Sequence, residues 1–166
     1  MDTLDALIEQ VQRAGRTLKF YGPQNIESIQ ALEKALSVKL PPSYVAFLRR
    51  FGGGGEGAST PIAGIYENQP MTEGVGSVYG ETILAREDYR LPSDYIVIYS
   101  DDEIKAVWCI DMRRTMPDGE CPVVSFDVNS GSTNATIAPT FGSFFEHYLQ
   151  IRANKPGEIN SPASKR

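Results

Sequence analysis

Leu40-Pro41-Pro42-Ser43-Tyr44-Val45-Ala46-Phe47-Leu48-Arg49-Arg50-Phe51-Gly52-Gly53 is the stretch that decides how this chain folds. Pro42 suits the first turn of a helix, where a missing N–H has no partner to lose. Tyr44, Phe47, Leu48 and Phe51 then recur at helical spacing on one apolar face. Gly52 or Gly53 can end that helix by taking a positive φ. Upstream, Ile26, Ile29, Leu32 and Leu36 form a second apolar face behind Asn25, a residue type whose side chain caps helix starts. The segment reads as helix, short Pro-Pro hinge, helix and Gly-rich exit.

Beyond Gly57 the periodicity changes from helical to extended. Tyr95 to Tyr99, Ala106 to Ile110 and Val123 to Phe126 are β-branched and aromatic runs of strand length. Ser100-Asp101-Asp102-Glu103 is short enough to join the first two as an antiparallel hairpin, and Met116-Pro117-Asp118-Gly119 marks a turn before the third. Ile62 to Tyr66 and Val78 to Leu84 are expected to add strands earlier in the chain. Ser143 and Glu146 have capping-box spacing, ahead of a closing helix with Phe144, Phe145, Tyr148 and Leu149 as its apolar stripe. Leu4, Leu7, Ile8 and Val11 make a short amphipathic helix, ending before Gly15, that packs on the body. Helices at the two ends around a run of strands give an α+β single domain with a central antiparallel sheet. Its expected extent is 1–152, with a core over about 24–150, and the polar tail 153–166, with Pro156, Gly157 and Pro162, is expected to be disordered. Tyr44, Phe47, Leu48, Val97, Trp108, Val124 and Phe144 should be buried.

At 166 residues with 41% apolar content, the chain fits one core. The formal charge of −5 argues against general affinity for nucleic acid, which rests on clustered Lys and Arg, and favours a cationic partner. Residues Met1 to Glu9 have neither the basic start nor the continuous apolar run of a signal peptide. No apolar stretch approaches the roughly 20 residues that span a bilayer, so a cytoplasmic protein without membrane contact is expected. Cys109 and Cys121 form no Cys-x-x-Cys pair and read as free thiols. With His147, the only histidine, they supply three zinc ligands at most and in no recognised spacing, so no metal or cofactor is expected.

The candidate catalytic features have simpler explanations. Gly52 to Gly55 with Gly57 lack the Gly-Lys-Ser/Thr end of a phosphate loop, and Glu56 would repel phosphate. His147, beside Glu146 and Tyr148, reads as a surface position on an amphipathic helix rather than a base oriented toward a nucleophile. Asp101, Asp102 and Glu103 suit a tight turn, where Asp bonds its own backbone, and can also form part of an acidic binding surface. Asn134-Ala135-Thr136 matches a glycosylation sequon that a cytoplasmic chain would not use. No catalytic residue is assigned and no enzyme is expected. Tyr66, Tyr79 and Tyr89 lie in a more irregular central region with Glu67, Glu73, Glu81, Glu87 and Asp88, where loops on a rigid scaffold can carry binding groups.

From about Ile26 to Leu149 the order of motifs resembles the SUKH superfamily, which includes fungal cell-wall-synthesis regulators linked to killer-toxin resistance and bacterial toxin-immunity proteins. The resemblance is carried by Ile26, Glu27, Leu32, Glu33, Leu36, Leu40, Pro41, Tyr44, Phe47, Leu48, Gly52 and Gly53. Gly64-Ile65, Thr82 to Arg86, Leu91-Pro92, the strands at Tyr95 and Ala106, Asp118 to Val124, and Phe141 to Phe144 continue it. Where many members have Asn-Gly-Gly after the second helix, this chain has Phe51-Gly52-Gly53 and two more glycines. The resemblance implies an immunity protein that binds and neutralises a cognate polymorphic toxin, of nuclease type, at or beside its active site. The alternative it implies is a regulatory protein-interaction scaffold similar to the fungal members. The acidic and aromatic residues Tyr66, Glu67, Glu73, Tyr79, Glu81, Glu87, Asp88, Asp101, Asp102 and Glu103 are the expected toxin-binding face.

Overall fold

The helix–hinge–helix stretch forms as its residues dictate. In the computed structural model, which describes residues 2–57, 61–101 and 105–155, the Asn25 side chain accepts from Ser28 N at 2.8 Å and starts α2 (Ile26–Leu36). Pro42 opens α3 (Pro42–Arg50), but the preceding Pro41 has no side chain able to cap it. A carboxylate from elsewhere in the chain takes that role: Glu120 accepts from Ser43 N at 2.9 Å and from Ser43 Oγ at 2.7 Å. A negative charge at a helix N-terminus is stabilising as well as hydrogen-bonded. Ser43 Oγ also accepts from Gly142 N at 3.0 Å, which joins the starts of α3 and α5 (Phe141–Asn154).

Phe47 of α3 then meets Phe141 and Phe145 of α5 with ring centroids 5.0 and 4.9 Å apart, and Tyr44 meets Phe141 edge-on at 4.8 Å. Aromatic pairs in these tilted arrangements add to the area they bury. The buried Tyr44 hydroxyl donates to Ala63 O at 2.8 Å, so the core tyrosine carries no unsatisfied group. Gly52 turns the chain out of α3 at φ 78 into β2 (Gly54–Glu56), which pairs antiparallel with β1 (Leu18–Phe20). Here Gly64 crosses Gly52 so closely that Ile65 N donates to Gly52 O at 2.8 Å. The N-terminal helix α1 (Thr3–Arg13) packs on α5 through Leu7 and Val11.

The second half is an antiparallel meander in the order β3 (Tyr95–Asp101), β4 (Ala106–Asp111), β5 (Val123–Asp127) and β6 (Ser132–Ala138). A single 3-10 turn, Met112–Arg114, follows β4. Ile96, Ile98, Ile110 and Val123 face the helical core, while Tyr95, Val97, Cys109, Val124 and Phe126 form a second apolar layer with Ala85 and Leu91. The fold is therefore α+β with helices from both ends around an antiparallel sheet, as expected.

Several sequence readings are corrected. Val78 to Leu84 is not a strand: it lies in α4 (Val78–Tyr89), started by the Ser77 side chain, which accepts from Gly80 N, with Val78, Thr82 and Ala85 buried at helical spacing. Ile62 to Tyr66 forms no ladder, because Ile62, Gly64 and Tyr66 each bridge a different neighbour: Gly54, Ser77 and Gln69. Trp108 is half-buried rather than core; it lies at the margin, stacked on Tyr99 at 5.0 Å and edge-on to Phe144 at 5.9 Å. The capping box that opens α5 uses Thr140 and Ser143, not Ser143 and Glu146. α5 runs to Asn154, and residues 156–166 of the expected tail lie outside the described residues. Tyr44, Phe47, Leu48, Val97, Val124 and Phe144 are buried.

Candidate interaction surface

Between Tyr66 and Tyr89 the sequence holds five carboxylates against one guanidinium, Arg86. The structure divides these residues into supports and exposed groups. The base of the segment, Glu67–Asn68, turns with both residues at positive φ (49 and 55) and is clamped to the start of α2. Asn68 Oδ1 accepts from Asn25 N at 2.7 Å, Asn68 N donates to Gln24 Oε1 at 2.7 Å, and Asn68 O accepts from Ser28 Oγ at 3.0 Å. Asn tolerates this left-handed conformation better than most residues.

The far side of the loop hangs on two tyrosines in tilted ring contact. Tyr21 and Tyr66 have ring centroids 4.2 Å apart; the Tyr66 hydroxyl donates to Val75 O and the Tyr21 hydroxyl to Gly76 O at 3.3 Å. Burial, and then the neighbouring Tyr66 hydroxyl, push the Tyr21 phenol far above its ordinary range, so it remains a donor at any physiological pH. Glu81 accepts from Gly76 N at 3.1 Å and from Ser100 Oγ at 2.6 Å, tying the loop to β3. Tyr66 and Glu81 thus support the surface, and Tyr79 packs against the main core.

The loop tip lies directly on α4. A methyl group at Gly80 would come within 2.8 Å of Gly74 N and 3.0 Å of Glu73 Cα, so the absence of a side chain there lets the loop settle on the helix. Positions 80, 84, 87 and 88 share one stripe of α4 by helical spacing. Glu73 therefore lies beside the Gly80 end of the stripe that carries Leu84, Glu87 and Asp88. Glu67, Glu73, Glu87 and Asp88 are exposed. Asp101 ends β3 half-buried opposite Ala106, while Asp102 and Glu103 lie outside the described residues.

Sequence reasoning overlooked Met71, Val75 and Leu84. Three of the seven large exposed apolar side chains among the described residues are Met71 (56% exposed), Val75 (70%) and Leu84 (53%). Val75 stands between two glycines, and Leu84 falls off the buried Val78–Thr82–Ala85 face. Both were legible as exposed once the segment was read as loop and helix rather than strand. Apolar groups ringed by charge are the composition of a protein-docking surface.

Among the described residues, no group of three or more His, Cys, Asp or Glu side chains is placed to hold a metal ion. His147 is exposed on α5. Cys109 and Cys121 are free, buried thiols, and burial raises the pKa of both. Among the described residues, no helix is long and apolar enough to cross a membrane.

The family model SUKH_5, described as SMI1-KNR4 cell-wall, matches residues 4–150. The chain belongs to the SUKH superfamily. The match begins within α1, upstream of the motifs legible in the sequence, which accords with the packing of α1 on α5. SUKH domains are generally non-catalytic regulatory or immunity modules, so a protein is the class of partner for this one.

Proposed function

We propose that this SUKH domain is an immunity protein that acts in the cytoplasm, binding a cognate toxin of nuclease type through the Tyr66–Tyr89 surface and blocking its active site or an adjacent face. The observation that carries the reading is the exposed set Glu67, Glu73, Glu87 and Asp88 with Met71, Val75 and Leu84, on α4 and on a loop that hydrogen bonds hold at both ends. A nuclease must present a basic channel to its substrate, and an acidic protein competes for it as a plug. Its charges speed encounter and its apolar centre slows release. A preorganised loop avoids the ordering cost of binding. Asp101, Asp102 and Glu103 extend the same acidic face in this reading. No catalysis and no cofactor take part.

The test is direct. The toxin domain encoded beside this gene should co-purify with the SUKH domain, and its nuclease activity should fall stoichiometrically as the SUKH domain is added. Binding without inhibition, together with altered cell-wall synthesis on deletion of the gene, would favour the regulatory scaffold that the family description brings to mind.

A further inference from the structure

The opposite edge of the sheet carries two exposed arginines. β6 is the outermost strand, and among the described residues it pairs only with β5. All of its residues except Ala138 are exposed. Edge strands are commonly guarded by charge or proline, yet Ser132-Thr133-Asn134-Ala135-Thr136-Ile137-Ala138 contains neither. Its only guards are two bulges, at Asn134 and Ile137, which limit pairing to a short segment.

Beside this edge the turn after β4 places Arg113 and Arg114 over a recess of about 510 Å3, walled on the other side by Thr133 to Thr136. At its base lies Asp111, whose side chain is 3% exposed. Its Oδ1 accepts from Arg113 Nε and its Oδ2 from Arg114 Nε, each at 3.3 Å. Arg113 Nη2 also donates to the Tyr95 hydroxyl, and Arg114 Nη2 to Thr136 Oγ1 at 3.2 Å. Both guanidinium groups are thereby held in place while their side chains stay 51% exposed. Neither Nη1 has a hydrogen-bond partner among the described residues. Asp94 also acts on the Arg113 charge, so the attraction for an anion rests on the two free Nη1 groups rather than on a net excess of positive charge.

We propose that β6 and this recess form a second docking site, where an extended segment of a partner protein pairs with the open strand edge and sets an Asp or Glu carboxylate between the Nη1 groups of Arg113 and Arg114. Fixed guanidinium forks match the planar geometry of a carboxylate, and bonds between two charged groups are roughly twice as strong as neutral ones. The unpaired backbone of β6 supplies the affinity in this mode of recognition, and the arginines supply the selection. The site is independent of the acidic surface and does not rest on the toxin reading.

Amide and arginine-side-chain NMR spectra of the full chain, titrated with acetyl-Thr-Val-Glu-Val-Thr-amide, test it. Shifts are expected at the amides of residues 132–138 and at Nε of Arg113 and Arg114, with the peptide carrying Gln in place of Glu binding about tenfold more weakly. Arg113→Lys with Arg114→Lys keeps Asp111 neutralised but removes the forks, and should weaken the Glu peptide by a similar factor. If that variant fails to fold, the Glu-to-Gln comparison on the unaltered protein still decides. Four results would overturn the proposal: no shift at millimolar peptide, equal binding of the two peptides, shifts confined to the arginines and reproduced by sulfate, or β6 shifts that follow protein concentration without peptide. The third would make this a free-anion site, and the last an interface between copies of the chain.

Discussion

Replacing Gly64 with Ala perturbs the tightest crossing in the molecule. A methyl group there would lie 2.7 Å from both the Gly52 carbonyl carbon and Gly53 Cα, and closer still to Gly52 O, whereas ordinary contact begins at 3.4 Å. All three neighbours are backbone atoms, so no side chain can rotate away. Relief requires the two segments to part, which strains or breaks the Ile65 N to Gly52 O bond (2.8 Å) at a buried position. Overpacking costs about 1–3 kcal/mol, and a buried hydrogen bond left unmade about the same again, so the substitution should remove about 2–6 kcal/mol. That is a large part of the total stability of a domain this size. Urea titration followed by tryptophan fluorescence measures it, with an unchanged slope showing that the folded state keeps its compactness. Gly131→Ala is the control: Gly131 also has a positive φ (69) but open space around it, so the change should cost only about 1–2 kcal/mol. A loss below about 1 kcal/mol at Gly64 would refute the close approach of the two segments.

Leu84→Ala should leave stability within about 0.5 kcal/mol, because the side chain is largely exposed, yet raise the dissociation rate of the toxin complex severalfold; paired urea titration and surface-plasmon kinetics separate the two effects. Stability should fall at alkaline pH. Burial holds the Cys109 and Cys121 thiols, and the Tyr21 and Tyr44 phenols, protonated in the folded chain. The native state therefore retains protons that the unfolded state gives up. The stabilisation is complete below the ordinary thiol value of 9.0 and is lost as pH rises past it and past the ordinary tyrosine value of 10.0. Urea midpoints that stay level from neutral pH to pH 10.0 would contradict it. In the same experiment a thiol reagent should label neither cysteine until the protein unfolds.

The parts of the fold legible in the sequence are those where local chemistry and tertiary packing agree. Asn25, Pro42 and Gly52 punctuate α2 and α3, and the apolar stripes between them face the core. The β3–β4–β5 meander is equally plain, because its strands are apolar on both faces and covered on both. Val78 to Leu84 misled because Val, Tyr, Thr and Ile have strand preferences, while the deciding contacts are tertiary: Ser77 caps the helix and Thr82 Oγ1 accepts from Val97 N at 2.9 Å, covering the edge of β3. β6 left no signal, since a strand exposed on both faces has no alternation to read. Within the acidic surface, Glu67, Glu73, Glu87 and Asp88 are exposed as the sequence suggested. Tyr66, Glu81 and Tyr79 proved to be supports, because hydrogen bonds to the backbone of residues 75–76 and packing on the core cannot be inferred from composition. Arg113 and Arg114 escaped notice because their setting depends on Asp111 and Thr136 converging across separate strands.

The central claim is that the acidic loop and α4 stripe form the toxin-binding face. The measurement that tests it most directly is the association rate of the toxin domain with the unaltered protein and with a variant carrying Glu67, Glu73, Glu87 and Asp88 changed to Lys, each at low and at high salt. These side chains are exposed, so the variant should keep its fold. Its association should be about tenfold slower or more at low salt, with the difference shrinking as salt screens the charges. A folded variant that associates at the unaltered rate at both salt concentrations would contradict the claim.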